Sequence, residues 1–532
     1  MASYATSIET GIPPVIHKPV LTVPGANPES KVLLESLLEK DRQVHHCFWG
    51  RVGFHNHLSH HLLAAYDLGA PPALLQAIYD TEIVGLSPVF SKGRKDAPIK
   101  RQDVKFDRGN WKQYVGQEKF YANFVEFFAD EIKQTGAAAT LEHYIFSEET
   151  NSDRGLMIER FVGGALHPMI QMGYAIAFQS NAMVAQALAQ CAVHDAFEPS
   201  LFPWNPAPSI AHANPNVSSP EPRLPSSGHS LLSILREIYA SDILTPVLPY
   251  DPDALLSQRR KDALTPRRIN EIRRICGMWH PALAPEAFSH SSDSSAALSE
   301  IESKDMLEQL AFFATLLFAG TSKPNRKPRL DFFLMHVLTS SLFVEPLMGV
   351  LKEGRSRRML LAAYLPVAVA YMLMRGRPRV GCEVIMGYEA TPAGVQEGAK
   401  LPGALGNPMK REYMNAWAGM LPHVLPAKDS HTLKAWRSLY VYAQRFGSVP
   451  PGGVIGAFCT KLGGESRAEV DKGLEETLPG ASKLDGSVFV RAAGVLVDTM
   501  GWVGPKDIGG GDEEGSWDRS GLGWDEAWKG EE

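Results

Sequence analysis

The sequence predicts an all-α protein, a large multi-helix body with a proline- and serine-rich inserted loop. The first observation is that apolar residues recur with the helical period through most of the chain. The second is that strand-like alternation is scarce, and the third is that no repeat of fixed period is visible. Together they favour a packed helical body over a sandwich, a doubly wound sheet or a solenoid.

The helical segments are marked by this period and by stop signals. The second segment, for example, ends at Gly69 and the Pro71–Pro72 pair, which cannot continue a helix. The predicted helices are Ser30–Arg42, Phe54–Leu68, Lys119–Gln134, Gly163–Gln190, Leu307–Ala319, Arg329–Val350, Arg358–Met374 and His431–Arg445.

Composition shifts along the chain predict three regions. Residues 1–28 are proline-rich and predict an extended arm, and residues 29–508 are expected to form one large helical body. Within that body, residues 199–228 are rich in Pro, Ser and Asn and predict a flexible insertion. Residues 509–532 form an acidic tail, and its three tryptophans indicate that it docks on the body.

Charge excludes some classes of function. Lys and Arg number 53 and Asp and Glu number 59, a net charge of −6, so a nucleic-acid or membrane-surface role is disfavoured.

The apolar run Met359–Met374 is too short to span a bilayer and predicts a buried helix. The N-terminus lacks a basic region followed by an apolar one, so we expect a cytoplasmic protein. The sequence does not indicate an oligomeric state.

The densest chemistry is a group of four histidines within seven residues, His55, His57, His60 and His61. On a helix, His57 and His61 are at i and i+4, a spacing that lets two imidazoles converge on one metal ion. His60 falls on the opposite face and is expected in solvent, and His55 lies near the border of the apolar face. Nearby Tyr66 is either a phenol-contacting group or an ordinary core aromatic.

Two further histidines, His167 and His336, are flanked by apolar residues and are expected to be buried. Each is either a neutral core histidine bonded to an oxygen or part of a site that suits iron, copper or zinc. Tyr174 has the same two interpretations as Tyr66. The absence of HExxH disfavours a zinc protease, and there is no GxGxxG after a strand, no phosphate loop and no GxSxG.

Several motifs resemble those of the questin oxidase family. They are GFHNHLSHHLLAAYDLGAPP, GGALHPMIQMGYA, LDFFLMHVLTSSLF, DSHTLKAWRSL and GLGWDEAW, in this order along nearly the whole chain. The resemblance implies an NADPH-linked oxidase that uses O₂ to insert oxygen into a quinone ring of an anthraquinone-like polyketide. For part of the family it also implies non-haem iron held by histidines and a modified lysine.

Carried over by position, the resemblance implies His57, His61, His167 and His336 as iron ligands. The family's lysine falls at Tyr364, so the fifth ligand is missing, is replaced by water, or is weakly substituted by Tyr364. Catalytic roles are expected for His61, His167 and Tyr364. If the site exists, the four histidines should converge, Tyr364 should face them and His60 should lie outside.

Two alternatives remain beside the iron oxygenase. One is a metal-free oxidase of the same substrates, in which His61 or His167 acts as general base. The other is a non-catalytic helical scaffold or ligand carrier.

Overall fold

The structure is a computed structural model that describes residues 8, 10–17, 23–50, 53–90, 102–205, 228–288, 298–389, 405, 413–460, 474–503 and 515–530. It is 60% helical with 3% strand, which confirms the all-α class. The strands form two short antiparallel pairs, β1 (Phe48–Trp49) with β2 (Phe54–His55) and β3 (Phe458–Thr460) with β4 (Leu474–Glu476). Most of the predicted insertion, residues 206–227, and part of the predicted arm lie outside the described residues.

The chain divides into two compact units. The first comprises Met1–Pro199, Phe343–Arg357 and Leu425–Arg437, and the second comprises Ser200–Leu342, Arg358–Val424 and Ser438–Glu532. The single body predicted over residues 29–508 stays a prediction.

In the first unit, α4 and α8 both pack on α9, α15 packs on α8, and α1 packs on α2 and α3. The first turns of α19, through Arg437, also belong to this unit. Its helices are α1 (Pro28–Val44), α2 (Leu58–Asp67), α3 (Pro72–Glu82), α4 (Tyr121–Thr135), α5 (Ala137–Phe146), α6 (Glu148–Asn151), α7 (Met157–Phe161), α8 (His167–Ala177), α9 (Asn181–Val193), α15 (Val344–Val350) and the start of α19 (Ser430–Phe446).

In the second unit, α13 is central and packs on α10, α14, α17 and α20. The unit's helices are α10 (Leu231–Ala240), α11 (Leu256–Ala263), α12 (Pro266–Gly277), α13 (Glu300–Ala319), α14 (Phe332–Ser341), α16 (Gly354–Met374, whose first residues belong to the first unit), α17 (Cys382–Met386), α18 (Ala416–Val424) and α20 (Val488–Met500).

Three predicted helices are shorter or broken. The helix predicted from Phe54 begins only at Leu58, because residues 54–55 pair with β1 and the side chain of Asn56 accepts the Leu58 N–H at 2.9 Å. The segment predicted as Gly163–Gln190 is divided into α8 and α9, where Gln179 has a φ of 53°. The segment predicted as Arg329–Val350 is divided into α14 and α15.

The described part of the acidic tail, residues 515–530, packs on the second unit as its tryptophans predicted. Trp524 and Trp528 are buried, and the Trp524 indole donates to the carbonyl of Val247 at 2.9 Å. The backbone of Asp518 pairs with Leu330 and Phe332 at 2.8 and 2.9 Å. The tail therefore covers the beginning of α14.

Two helical stretches, Phe332–Val350 and Gly354–Met374, are long and apolar enough to cross a membrane by length and composition. Their apolar windows are 72% and 94% buried inside the protein, as in core helices.

Candidate functional site

The N-terminal ends of α2, α8 and α19 meet at three histidines of the first unit. The Nε2 atoms of His57 and His167 are 2.7 Å apart, a hydrogen-bond distance. The ring of His431 meets the ring of His57 edge to face, with centroids 4.6 Å apart. His167 and His431 are buried and His57 is half-buried. This layer is where the candidate site lies closest to solvent.

One helical turn further along, the same three helices contribute His60, Gln171 and Lys434. His60 is 0% exposed and Lys434 is 2% exposed. The Gln171 amide oxygen accepts a hydrogen bond from the hydroxyl of Ser59 at 3.0 Å. Neither ring nitrogen of His60 has a hydrogen bond of ordinary geometry, although Gln171 lies close enough to affect its pKa.

A buried ion pair follows at the far end. Arg437 Nε donates to the Asp67 carboxylate at 2.7 Å, and both side chains are no more than 1% exposed. The Arg437 guanidinium lies over the Tyr174 ring at 5.4 Å, and that ring stacks on His60 at 5.1 Å. Because the N-terminal ends of the three helices lie together and their C-terminal parts also lie together, the helices run in the same direction. We call this polar contact the three-helix seam: His57, His60, Asp67, His167, Gln171, Tyr174, His431, Lys434 and Arg437.

A backbone carbonyl fixes the positions of the protons in the histidine pair. The Nδ1–H of His167 donates to the carbonyl of Gly164 at 2.6 Å, so the Nε2 of a neutral His167 is an acceptor. The Nε2 of His57 must then carry the proton, which leaves the His57 Nδ1 with a lone pair. A second pair lies behind the first, with the Nε2 atoms of His55 and His194 3.1 Å apart and the His55 ring stacked on His167 at 3.9 Å.

The turn before His167 has an unusual backbone. Gly164, Ala165 and Leu166 have φ angles of 52°, 51° and 65°, in the left-handed region. A Cβ added at Gly164 would lie 2.0 Å from the Nε2 of His194, so only glycine fits there. This turn aims the Gly164 carbonyl at His167 and begins α8.

Burial keeps the imidazoles of the seam neutral. Loss of hydration lowers the pKa of His57, His60 and His167 well below the usual range, and the charge of Lys434 lowers it further. Burial also lowers the pKa of Lys434 to about 8, against the raising effect of Asp429 and Glu82. Near neutral pH the seam therefore combines neutral bases with a cation that releases its proton readily.

The sequence predicted the placement of some of these residues and missed others. His57 and His167 come together as predicted. His60 was expected in solvent and is fully buried instead, because α8 and α19 cover the face of α2 that the sequence pattern marks as polar. Tyr174 lies in the seam, while Tyr66 is half-buried.

His61 is buried on α2, and its Nδ1 lies 2.8 Å from the carboxylate of Glu82. Its Nε2 has no hydrogen-bond partner. The rings that contact His57 are those of His60, His167 and His431, so the i, i+4 pair expected on this helix is not in contact.

His336 and Tyr364 belong to the second unit. The Nδ1 of His336 donates to the carbonyl of Phe332 at 2.8 Å. The Tyr364 hydroxyl is fully buried and donates to the carbonyl of Val337 at 2.7 Å. Burial raises the pKa of Tyr364, which disfavours a phenolate ligand.

The implied iron ligands have one feature of metal-binding histidines and lack another. His61, His167 and His336 each hold Nδ1 against an oxygen, which leaves Nε2 to bind a ligand, as in metal-binding histidines. However, the Nε2 atoms of His57 and His167 share a proton. Among the described residues, no three His, Cys, Asp or Glu side chains are grouped as metal ligands. The four-histidine ligand set therefore stays a prediction.

The third helix of the seam was predicted from the sequence as His431–Arg445, but none of its residues was assigned to the site. His431, Lys434 and Arg437 follow one another at i, i+3 and i+6 on α19. The motif DSHTLKAWRSL contains these residues, and on a helix their spacing places His431, Lys434 and Arg437 along one side. What the sequence could not show was that this face meets the histidines of α2.

Residues 54–439 match the model of the questin oxidase-like family. The chain belongs to this family. It is 28% identical over 341 residues to the questin oxidase of Aspergillus terreus, covering 63% of this chain and 65% of that relative. It is 26% identical over 314 residues to the Baeyer-Villiger oxidase GME11358 of Pestalotiopsis microspora, covering 59% and 63%.

A third relative is the oxidoreductase AflY of Aspergillus parasiticus, 28% identical over 296 residues, covering 55% of this chain and 52% of that protein. The matches thus span less than two thirds of the length of these relatives. The matched region of the family model includes every residue of the three-helix seam, from His57 to Arg437.

Proposed function

We propose that this protein is an oxygenase that inserts oxygen into, and opens, a ring of a fused-ring aromatic polyketide of the anthraquinone kind. The names of the relatives support the reaction class, since they include questin oxidase and Baeyer-Villiger oxidase. The observation that carries the proposal is the His57–His167 pair, two neutral imidazoles joined by one hydrogen bond at the end of the seam that lies closest to solvent.

The pair is suited to remove a phenol proton. The lone pair on the Nδ1 of His57 accepts the proton, and the resulting imidazolium is stabilised because its Nε2–H already donates to His167. The Gly164 carbonyl keeps His167 in the accepting tautomer. Ionisation makes the aromatic ring electron-rich and therefore reactive toward O₂. General-base catalysis of this kind contributes roughly 10²–10⁴-fold.

The balance of the reaction requires a reductant. One atom of O₂ enters the ring between a carbonyl carbon and its neighbour, and the other is reduced to water with two electrons and two protons. The family resemblance suggests NADPH as the electron donor. The sheets among the described residues are two-stranded and antiparallel, so they offer no dinucleotide fold, and we propose NADPH as a diffusing co-substrate.

An iron-dependent version of the same oxygenation is the second candidate. It is favoured by the anchored Nδ1 atoms of His61 and His167, which leave Nε2 as the free side of each ring. Bound iron would supply a site for O₂. Metal analysis of the purified protein separates the candidates: about one equivalent of iron and loss of activity in chelator favour iron, whereas activity without metal favours the histidine base.

The test of function is oxygen uptake by the purified protein with a hydroxyanthraquinone and NADPH. We expect the wild type to consume O₂ and the double variant His57→Ala, His61→Ala to lose roughly 10²–10⁴-fold of the rate. The control is His143→Ala, which changes an exposed histidine of the same unit. Circular dichroism confirms that each variant is folded.

A scaffold or ligand carrier would give a different result. The wild type would then turn over none of the aromatic polyketides offered, and the double variant would lose only stability. Rates that are equal in the double variant and the wild type would reject the role of the histidines.

A further inference from the structure

A cavity in the second unit is enclosed by the loop before α11, by α11 itself, by the C-terminal end of α16 and by the tail. Its volume is about 120 Å³, close to the roughly 150 Å³ that is enough to hold a benzene ring. Its apolar lining consists of Val247, Pro249, Leu373, Met374 and the ring of Trp524. The cavity can therefore take an apolar group of about one ring.

Arg259 of α11 is a buried guanidinium in the wall of this cavity. It is 5% exposed, and its guanidinium lies over the Trp524 ring at 5.1 Å. Its Nη2 donates to the backbone carbonyls of Asp251 and Ser520 at 2.8 and 2.7 Å. Within the described part of the chain, its Nε and Nη1 have no hydrogen-bond acceptor. The carbonyls are neutral, so they hold the guanidinium in place without neutralising its charge.

Two carboxylates also line the cavity, those of Asp251 and Asp262. The first accepts a hydrogen bond from the backbone N–H of Asp253 at 2.9 Å, and the second accepts one from the Gln258 amide at 2.8 Å. Both would repel an anion, and the repulsion grows with the anion's charge. The guanidinium thus favours a negative group in the cavity, and the two carboxylates favour one that carries a single charge.

We propose that this cavity binds a small monocarboxylate with an apolar body of about one ring, and that the carboxylate is bound by Arg259. An arginine is always charged, and its hydrogen bonds to a carboxylate are stronger than those between neutral groups. The exposed Leu248 and Leu255 adjoin lining residues in the sequence, so apolar surface continues beside the cavity. This binding site is independent of the proposed oxygenation.

The test is calorimetric titration of the full-length protein with benzoate near neutral pH. Benzamide, which has nearly the same shape without the charge, is the neutral counterpart. We expect one benzoate to bind per chain, saturably. Arg259→Met should weaken this binding by roughly 10–100-fold, the effect of losing hydrogen bonds to a charged group, and benzamide should bind the wild type at least roughly 10-fold more weakly than benzoate.

A second variant leaves the arginine in place and fills the cavity. Ala254 lines the cavity and is half-buried, so Ala254→Phe should block benzoate while the contacts of Arg259 remain. This variant provides the test if Arg259→Met does not fold, which circular dichroism checks. The matched control is Arg267→Met, which removes an exposed arginine of α12 and should bind benzoate as the wild type does.

The proposal is overturned if benzoate does not bind saturably or if benzamide binds as tightly. It is also overturned if either folded variant, Arg259→Met or Ala254→Phe, binds benzoate as the wild type does, since benzoate would then occupy another site. Inorganic phosphate that binds more tightly than benzoate would overturn the assignment to a monocarboxylate.

Discussion

The Asp67–Arg437 ion pair joins α2 to α19, and its removal should destabilise the protein strongly. Both side chains are no more than 1% exposed, and the contact is a 2.7 Å hydrogen bond. Replacing Arg437 by Met leaves a carboxylate buried without its partner, which costs roughly 3–5 kcal/mol of unfolding free energy. Loss of the guanidinium over the Tyr174 ring adds up to about 2 kcal/mol at a desolvated site.

These magnitudes can be measured by a double-mutant cycle with urea unfolding and thermal melting. Arg437→Met and Asp67→Asn should each lower the melting temperature by roughly 6–20 °C, from about 2–4 °C per kcal/mol for a domain of this size. The double variant should be more stable than the sum of the two single effects implies, because it leaves no uncompensated charge in the core. Lys133→Met, which removes the exposed partner of Asp130, should cost less than about 1 kcal/mol.

The reasoning would be refuted by single variants that lose no more than the surface control. It would also be refuted if the double variant lost as much unfolding free energy as the two single variants together, since the two side chains would then stabilise the fold independently.

Two more predictions concern stability. Burial lowers the pKa of His57, His60 and His167 in the folded state, so the unfolded chain binds more protons below about pH 6.5. The unfolding free energy should therefore fall on acidification by roughly 1.4 kcal/mol per pH unit for each of these histidines. Urea midpoints that stay level between neutral and weakly acid pH would contradict this. In the second unit, Trp524→Ala should lower the unfolding free energy by about 3–5 kcal/mol in the same assay, since the indole is 7% exposed and hydrogen-bonded to Val247. A loss below about 1 kcal/mol would show that the tail contributes little to stability.

The helical architecture could be predicted because it depends on local pattern. Long segments such as α13 and α16 carry the apolar period over many turns, and their existence follows from it. The break between α8 and α9 could not be predicted, because Gln179 adopts a left-handed backbone without a glycine or proline to signal it. The start of α2 was also missed, since two residues of that segment pair with β1 instead.

The candidate site was predicted only in part, for a related reason. His57 and His167 were singled out by type and apolar flanks, and they do meet. The position of His60 depended on a contact with α8 and α19, and a helical wheel of α2 alone contains no information about either helix. The only local signal for Lys434 is its helical spacing from His431 and Arg437, because a buried lysine is recognised only once the residues that cover it are known.

The left-handed turn before His167 limits how this protein can adapt to heat. Ala165 and Leu166 each hold a conformation that disfavours L residues by roughly 1–2 kcal/mol, so glycine at either position would relieve the backbone. Glycine would also loosen the turn whose carbonyl fixes the tautomer of His167. A stabilising change in this turn would therefore weaken the base formed by His57 and His167. Heat-adapted members of the family should keep this turn and carry their stabilising changes at other positions.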